Sequence, residues 1–229
     1  MKVHVRAMLR RVRAMARPLL RRAPIVHRAP ARATGVALTF DDGPSEWTLE
    51  IAHVLEAHGC RGTFFVLGSA VERNPQIVKT LTEAGHEIGN HLWSHSDPEQ
   101  QTRKDLRAEL ERTAQAIERA GGGRPRLIRP PYCGAPEAVA AAAFGTRPSA
   151  LVVLRSVDPA DWRAEAAAEV IDRVLDRITP GDIVCLHDGI SPGNNGTLSR
   201  AVTASAVAKL VPELLNRGLK PVTVSELLA

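Results

Sequence analysis

The residues able to do chemistry fall into five short groups along the 229-residue chain. They are Thr39-Phe40-Asp41-Asp42-Gly43, Asn90-His91-Leu92-Trp93-Ser94-His95, Arg129-Pro130-Pro131-Tyr132, Asp158-Pro159-Ala160-Asp161-Trp162 and His187-Asp188-Gly189. Each group alone has an ordinary explanation. Adjacent carboxylates suit a turn with a helix cap, histidines four apart suit a solvated helix face, and His187 suits a hydrogen-bonded core position. Together they offer more. Two histidines and one carboxylate make a three-ligand set that leaves an open position on Zn²⁺ or a similar divalent ion. A second carboxylate and a third histidine then remain for proton transfer.

The elements that must position these groups follow from the apolar pattern. Strands are predicted over residues 36–40, 63–67, 86–89, 126–128, 150–154, 182–187 and 220–223. Helical patterns cover 46–58, 75–84, 98–120, 135–143, 164–178 and 200–217, and Gly59, Gly85, Gly121 and Gly218 stand where helices should stop. Such alternation implies a parallel sheet with helices outside, either a small incomplete barrel or a doubly wound sheet. All five polar groups then lie at the carboxyl edge of strands, where sites form in parallel α/β folds. No internal repeat or second domain is visible.

Composition is that of a globular chain, 44% hydrophobic and 24% charged, and no apolar run reaches the length of a membrane span. The net charge of +5 is unevenly placed. Residues 1–33 hold ten Lys or Arg and no acid, leaving 20 basic against 25 acidic residues in 34–229, a net of −5. A folded part of that sign argues against a nucleic-acid-binding domain. Residues 5–21 set Val5, Met8, Leu9, Val12, Ala16 and Leu19 opposite Arg6, Arg10, Arg13, Arg17 and Arg21 at helical spacing. That pattern suits peripheral contact with an anionic membrane surface; a disordered tail is the plainer alternative. No apolar stretch of a secretory signal follows the charges, so the cytoplasm or its membrane surface is expected. The expected division is a basic leader over 1–33 and one domain over 34–229. Cys60, Cys133 and Cys185 form no CxxC and read as buried thiols of a reducing compartment.

In this order, the five groups resemble the polysaccharide deacetylase family, the NodB-homology or carbohydrate esterase family 4 domain. Its TFDDG stands at residues 39–43, its HxxxH at His91 and His95, its RxPY at residues 129–132 and its DxxDW at residues 158–162. The stretches 180–189 and 215–228 are also similar, so the resemblance spans about 34–229. It implies an α/β fold, a distorted (β/α)7 barrel related to the TIM barrel. It implies a metal-dependent hydrolase that removes N-acetyl groups from GlcNAc-containing glycans or oligosaccharides, of chitooligosaccharide or peptidoglycan type. By that likeness Asp42, His91 and His95 hold Zn²⁺ or another divalent transition metal such as Co²⁺. Asp41 is the general base, with Arg129 as its partner, and His187 the general acid, with Asp161 as its partner. The backbone N–H of Tyr132 helps to hold the oxyanion, and Pro131, Tyr132, Trp162 and Cys185 face the substrate.

These roles agree with the chemistry of an unactivated amide, which needs a strong nucleophile, a polarised carbonyl and a protonated leaving amine. An arginine beside Asp41 should keep it ionised, and a carboxylate beside His187 should raise its pKa. Three departures from the family pattern bear on substrate and acyl preference. Leu92 stands where Ser or Thr is usual, removing a loop-stabilising hydrogen bond. Cys133 separates Tyr132 from Gly134, and Cys185 replaces a leucine of the acyl pocket. The competing readings are a deacylase of a small acyl amide, ester or cyclic amide, and an inert glycan-binding module, which would have no need of Asp41 and His187 together. With one Tyr, three Trp and four Phe, stacking platforms are few. Trp93 and Trp162 are expected near the site, which favours short substrates.

Overall fold

A computed structural model describes residues 22–192 and 199–229. The helix expected over 5–21 lies outside the described residues. Seven parallel strands form one sheet: β1 (Ile25–Val26), β2 (Ala37–Asp41), β3 (Thr63–Val66), β4 (Glu87–Asn90), β5 (Leu127–Ile128), β6 (Leu151–Val153) and β7 (Ile183–His187), in the order β1-β6-β5-β4-β3-β2-β7. Around it lie α1 (Glu46–Ala57), α2 (Gly68–Arg73), α3 (Pro75–Glu83), α4 (Arg103–Arg119), α5 (Pro136–Thr146), α6 (Ala167–Leu175), α7 (Ala201–Asn216) and α8 (Val224–Leu228). Among the described residues no helix is long and apolar enough to cross a membrane.

The sheet curls into a half-barrel. Beyond β6 the chain swings towards β7, where the Val157 N–H donates to Ile183 O at 3.1 Å and the Cys185 N–H to Val157 O at 3.0 Å. Arg28, just past β1, bridges Asp182. Burial on both faces explains why the strands read as unbroken apolar runs, such as the fully buried Ala-Leu-Thr-Phe-Asp of β2. Two-residue alternation sorts the side chains. Leu38, Phe40, Val184 and Leu186 pack outward under the helices. Ala37, Phe65, Leu127, Leu151, Val153 and Ile183 fill the interior. By the same parity Thr39, Asp41, Arg129, Cys185 and His187 point inward, towards the mouth of the half-barrel.

Six of the seven expected strands are present. The seventh, 220–223, is no strand: Pro221 bridges Val36, and Thr223 then caps α8 with its side chain on the Glu226 N–H. β1 completes the sheet instead, in residues assigned to the leader. A two-residue strand between Pro24 and Pro30 carries no readable period. The boundary expected at 33/34 therefore moves. Ala23 and Ala29 are buried, β1 pairs with β6, and Arg28 meets Asp182 at 3.3 Å, so residues 22–33 belong to the folded part. The helix expected over 98–120 divides at Thr102, whose hydroxyl accepts from the Asp105 N–H and starts α4 afresh. α2 and α8, both short, were not expected.

Candidate active site

Asp41 ends β2 and Arg129 follows β5. They meet inside the half-barrel, where Arg129 Nη1 donates to Asp41 Oδ1 at 2.8 Å. Arg129 is fully buried. It also donates to Thr39 Oγ1 (2.6 Å), Val153 O (3.2 Å) and Leu154 O (2.9 Å), and lies 4.2 Å over the Phe65 ring. A charge so buried persists only when paired and saturated with acceptors. Burial alone would raise the Asp41 pKa; the charges of Arg129, His91 and His187 outweigh it and leave it lowered.

Continuing β2 straight would turn Asp42 away from Asp41. Its φ of 75° reverses the chain and keeps both carboxylates at the mouth. The close approach of the β2 and β7 ends requires two glycines: a Cβ on Gly43 would sit 2.2 Å from Asp188 Oδ2, and one on Gly189 2.2 Å from the Asp42 backbone.

His91 and His95 occupy a loop, not a helix face; His95 takes φ 60° and Leu92 φ 64°. His91 Nδ1 donates to the Arg129 carbonyl at 2.8 Å, which leaves Nε2 to face Asp42. Leu92 cannot supply the hydrogen bond usual at its position, and Glu109 of α4 does the tethering. Its carboxylate accepts from the N–H groups of Trp93 (2.8 Å) and Ser94 (3.0 Å) and from Ser94 Oγ (2.9 Å). Leu92 itself is fully buried against Leu106, Leu110 and Ile128.

The Nε2 atoms of His91 and His95 lie 3.4 and 3.2 Å from the same oxygen, Asp42 Oδ1. That buried oxygen has no hydrogen-bond partner. Ligands about 2.0–2.1 Å from one tetrahedral ion stand roughly 3.3 Å apart. An orphaned oxygen and two imidazoles at that separation fit a divalent metal, and burial lowers the His95 pKa, favouring the neutral ring that can ligate.

His187 closes β7 and pairs in register with Asp41. Its Nδ1 donates to Asp161 Oδ1 at 2.8 Å, while Asp161 Oδ2 accepts from the His187 N–H (2.9 Å) and Thr203 Oγ1 (2.7 Å). Burial would lower the His187 pKa, but the hydrogen bond and charge of Asp161, helped by Asp41 and Asp42, raise it to about 9. One carboxylate held ionised and one imidazole held protonated make an acid–base pair.

These groups line a cleft of about 740 Å³. Tyr132 and Trp162, 67% and 51% exposed, stand at its rim beside Arg155, which pairs with Asp158 at 2.8 Å. The Tyr132 ring lies edge-on to His95 at 4.7 Å. Two expectations are corrected. Pro131 is buried and is not among the residues that line the cleft, and Trp93 packs under Arg112 beside a separate groove. The three cysteines are free thiols, with Cys60 and Cys185 buried. Of the other histidines, His86 is structural: its Nδ1 accepts from the Gly62 N–H at 3.1 Å. Glu109 and Thr203 lie within ordinary helical patterns and carry no sequence signal, and Thr39, named within the first group, has no role assigned there. Asp188, named with His187 in the fifth group, has no role assigned either. It is fully buried with Thr48 on its Oδ2, and burial beside Asp42 and Asp41 raises its pKa to about 7.

Residues 28–148 match the family model described as polysaccharide deacetylase. A peptidoglycan-N-acetylglucosamine deacetylase of Bacillus cereus is 35% identical over 196 residues, which are 85% of this chain and 68% of that protein. A chitooligosaccharide deacetylase of Sinorhizobium fredii is 35% identical over 198 residues, 84% of this chain and 91% of that one. A crystal structure of a peptidoglycan N-acetylglucosamine deacetylase superposes with a TM-score of 0.81 at 32% identity, covering 90% of this chain and 92% of the other. A pseudoenzyme of carbohydrate esterase family 4 from Bacillus anthracis superposes almost as well, at 0.80 and 25% identity over 90% and 69% of the two chains. The fold alone therefore does not decide activity.

Proposed function

The chain belongs to the polysaccharide deacetylase family, and from that premise we propose that it hydrolyses N-acetyl groups from GlcNAc-containing glycans or oligosaccharides of peptidoglycan or chitooligosaccharide type. The observation that carries the reading is the strand register that sets Asp41 opposite His187, with the Asp42–His91–His95 set beside them. Zn²⁺ or Co²⁺ suits those imidazole and carboxylate donors. A divalent ion bound there would polarise the acetyl carbonyl and acidify water.

The chain's own residues supply the proton transfers. Arg129 holds Asp41 ionised and fixes Oδ1, so Oδ2 is the oxygen left to take a proton from attacking water. Asp161 holds Nδ1 of His187, so the proton on Nε2 is the one available to the departing amine. The two groups end the cycle with their protons exchanged, and solvent in the cleft resets them. Tyr132 and Trp162 at the rim offer faces for a sugar ring, and the Tyr132 N–H would assist the oxyanion.

The test measures acetate and free amine released from chitooligosaccharides and peptidoglycan fragments by protein stripped of metal and then reloaded. Release that needs both the ion and Asp41 is expected. Hydrolysis of small acyl amides with no release from any N-acetylated glycan would transfer the reading to a small-molecule deacylase.

A further inference from the structure

We propose that Asp41, Cys185 and His187 form a second, inhibitory site for a thiophilic divalent ion such as Zn²⁺ or Cd²⁺, next to the Asp42–His91–His95 set. Candidate ligand atoms of the three lie within 4.8 Å of one another, and Cys185 Sγ is 3.4 Å from Asp41 Oδ2. The sheet register builds the cluster: Thr39 pairs with Cys185 and Asp41 with His187, so two alternate residues of β7 and the last of β2 share the inner face. All three line the cleft. Ligands around one such ion stand roughly 3.3–3.8 Å apart, so small side-chain rotations close the set.

Two of the three ligands, Asp41 and His187, already have the outer partner that metal sites commonly use. Arg129 occupies Asp41 Oδ1 and leaves Oδ2 on the cysteine side. Asp161 occupies His187 Nδ1 and leaves Nε2. One thiolate, one imidazole and one carboxylate favour Zn²⁺ or Cd²⁺ over Mg²⁺ or Mn²⁺, whereas the neighbouring set contains no sulfur. Without an ion, burial and the charge of Asp41 hold the Cys185 thiol protonated. Binding forms the S–metal and N–metal bonds and releases the Sγ proton and the imidazolium proton to water, with no change of oxidation state. An ion held there occupies the proposed base and acid together. The inhibition rests on the reading under Proposed function; the binding does not.

Metal-stripped full-length protein is titrated with Cd²⁺, following heat and the ultraviolet thiolate-to-metal absorption. Two equivalents are expected, one carrying the thiolate band. Cys185→Ser should abolish the band and weaken that equivalent at least tenfold, while Cys133→Ser keeps it. A single equivalent with no band, or a band that survives Cys185→Ser, overturns the proposal. Should Cys185→Ser not fold, alkylation of the wild type followed by mass spectrometry decides: Cd²⁺ should protect Cys185, and unchanged labelling at saturating Cd²⁺ overturns the site. Excess Zn²⁺ should also suppress the rate of protein preloaded with one equivalent, and the inhibited-to-uninhibited ratio should move at least tenfold towards one in Cys185→Ser. If the reading of the Asp42 set failed instead, the equivalent without the band would vanish and the thiolate band would remain.

Discussion

Asp161 engages His187 with both carboxylate oxygens, Oδ1 accepting from ring Nδ1 at 2.8 Å and Oδ2 from the backbone N–H at 2.9 Å. The ring is thereby fixed in position and in tautomer, and its pKa stands near 9 rather than 6.5. NMR titration of the metal-free protein should place His187 near 9, and Asp161→Asn should lower it by more than one unit. A bound divalent ion acts in the opposite direction, so the loaded protein titrates lower. A raised histidine stabilises fully below its unfolded pKa of 6.5 and loses that contribution as pH climbs through about 9. Denaturation of metal-free protein should therefore show stability falling across this window, less steeply in Asp161→Asn. A His187 titration near 6.5 would remove the ion pair from the account.

Asp41→Asn keeps size and shape but cannot take up a proton. The Asp42–His91–His95 set should keep its ion while turnover falls by on the order of 10²–10⁴, the worth of a positioned base. Arg129→Met should act on the fold as well. It strands Asp41 in the barrel interior, and breaking a buried pair from one side costs about 3–5 kcal/mol. Urea denaturation showing a loss below about 1 kcal/mol would mean that water reaches Asp41 freely.

Supplied with one equivalent of ion, Asp42→Asn, His91→Ala and His95→Ala should each lose the ion held by this set and activity together, with the circular dichroism spectrum unchanged. The motive is one buried oxygen facing two imidazoles, with no other partner. Full metal occupancy in His91→Ala would break this assignment.

Glu109 touches none of the proposed ligands, yet holds the loop that carries two of them. Glu109→Ala should weaken metal binding about 10–100-fold, as loss of an outer partner does, with little change in secondary structure. Unaltered affinity would show that the buried Leu92 side chain alone suffices to hold the loop.

A chain beginning at residue 22 keeps β1, and one beginning at residue 34 loses it together with the Arg28–Asp182 pair. The shorter chain should melt lower by at least about 5 °C, since each kcal/mol is worth roughly 2–4 °C in a domain of this size. Equal melting temperatures would return residues 22–33 to the leader.

Much of this protein is legible in one dimension. The buried strands announce themselves because both faces are covered, and the five polar groups of the site stand at the carboxyl ends of those apolar runs. The identity of the site groups follows from that contrast: Asp41 and Asp42 after one run, His187 after another. Their mutual arrangement does not. Arg129 reaches an aspartate 88 positions away, and Asp161 meets a histidine 26 positions away. The His91–His95 spacing suggests a helix, but the loop adopts positive φ at Leu92 and His95 because Asn90 and Glu109 capture its N–H groups. β1 exists only because β6 presents an open edge. Local periodicity reports which face of a segment is covered. Register, curl and the buried hydrogen bonds depend on which segments pack together, and that choice is made between residues far apart in the chain, whose spacing carries no trace of it.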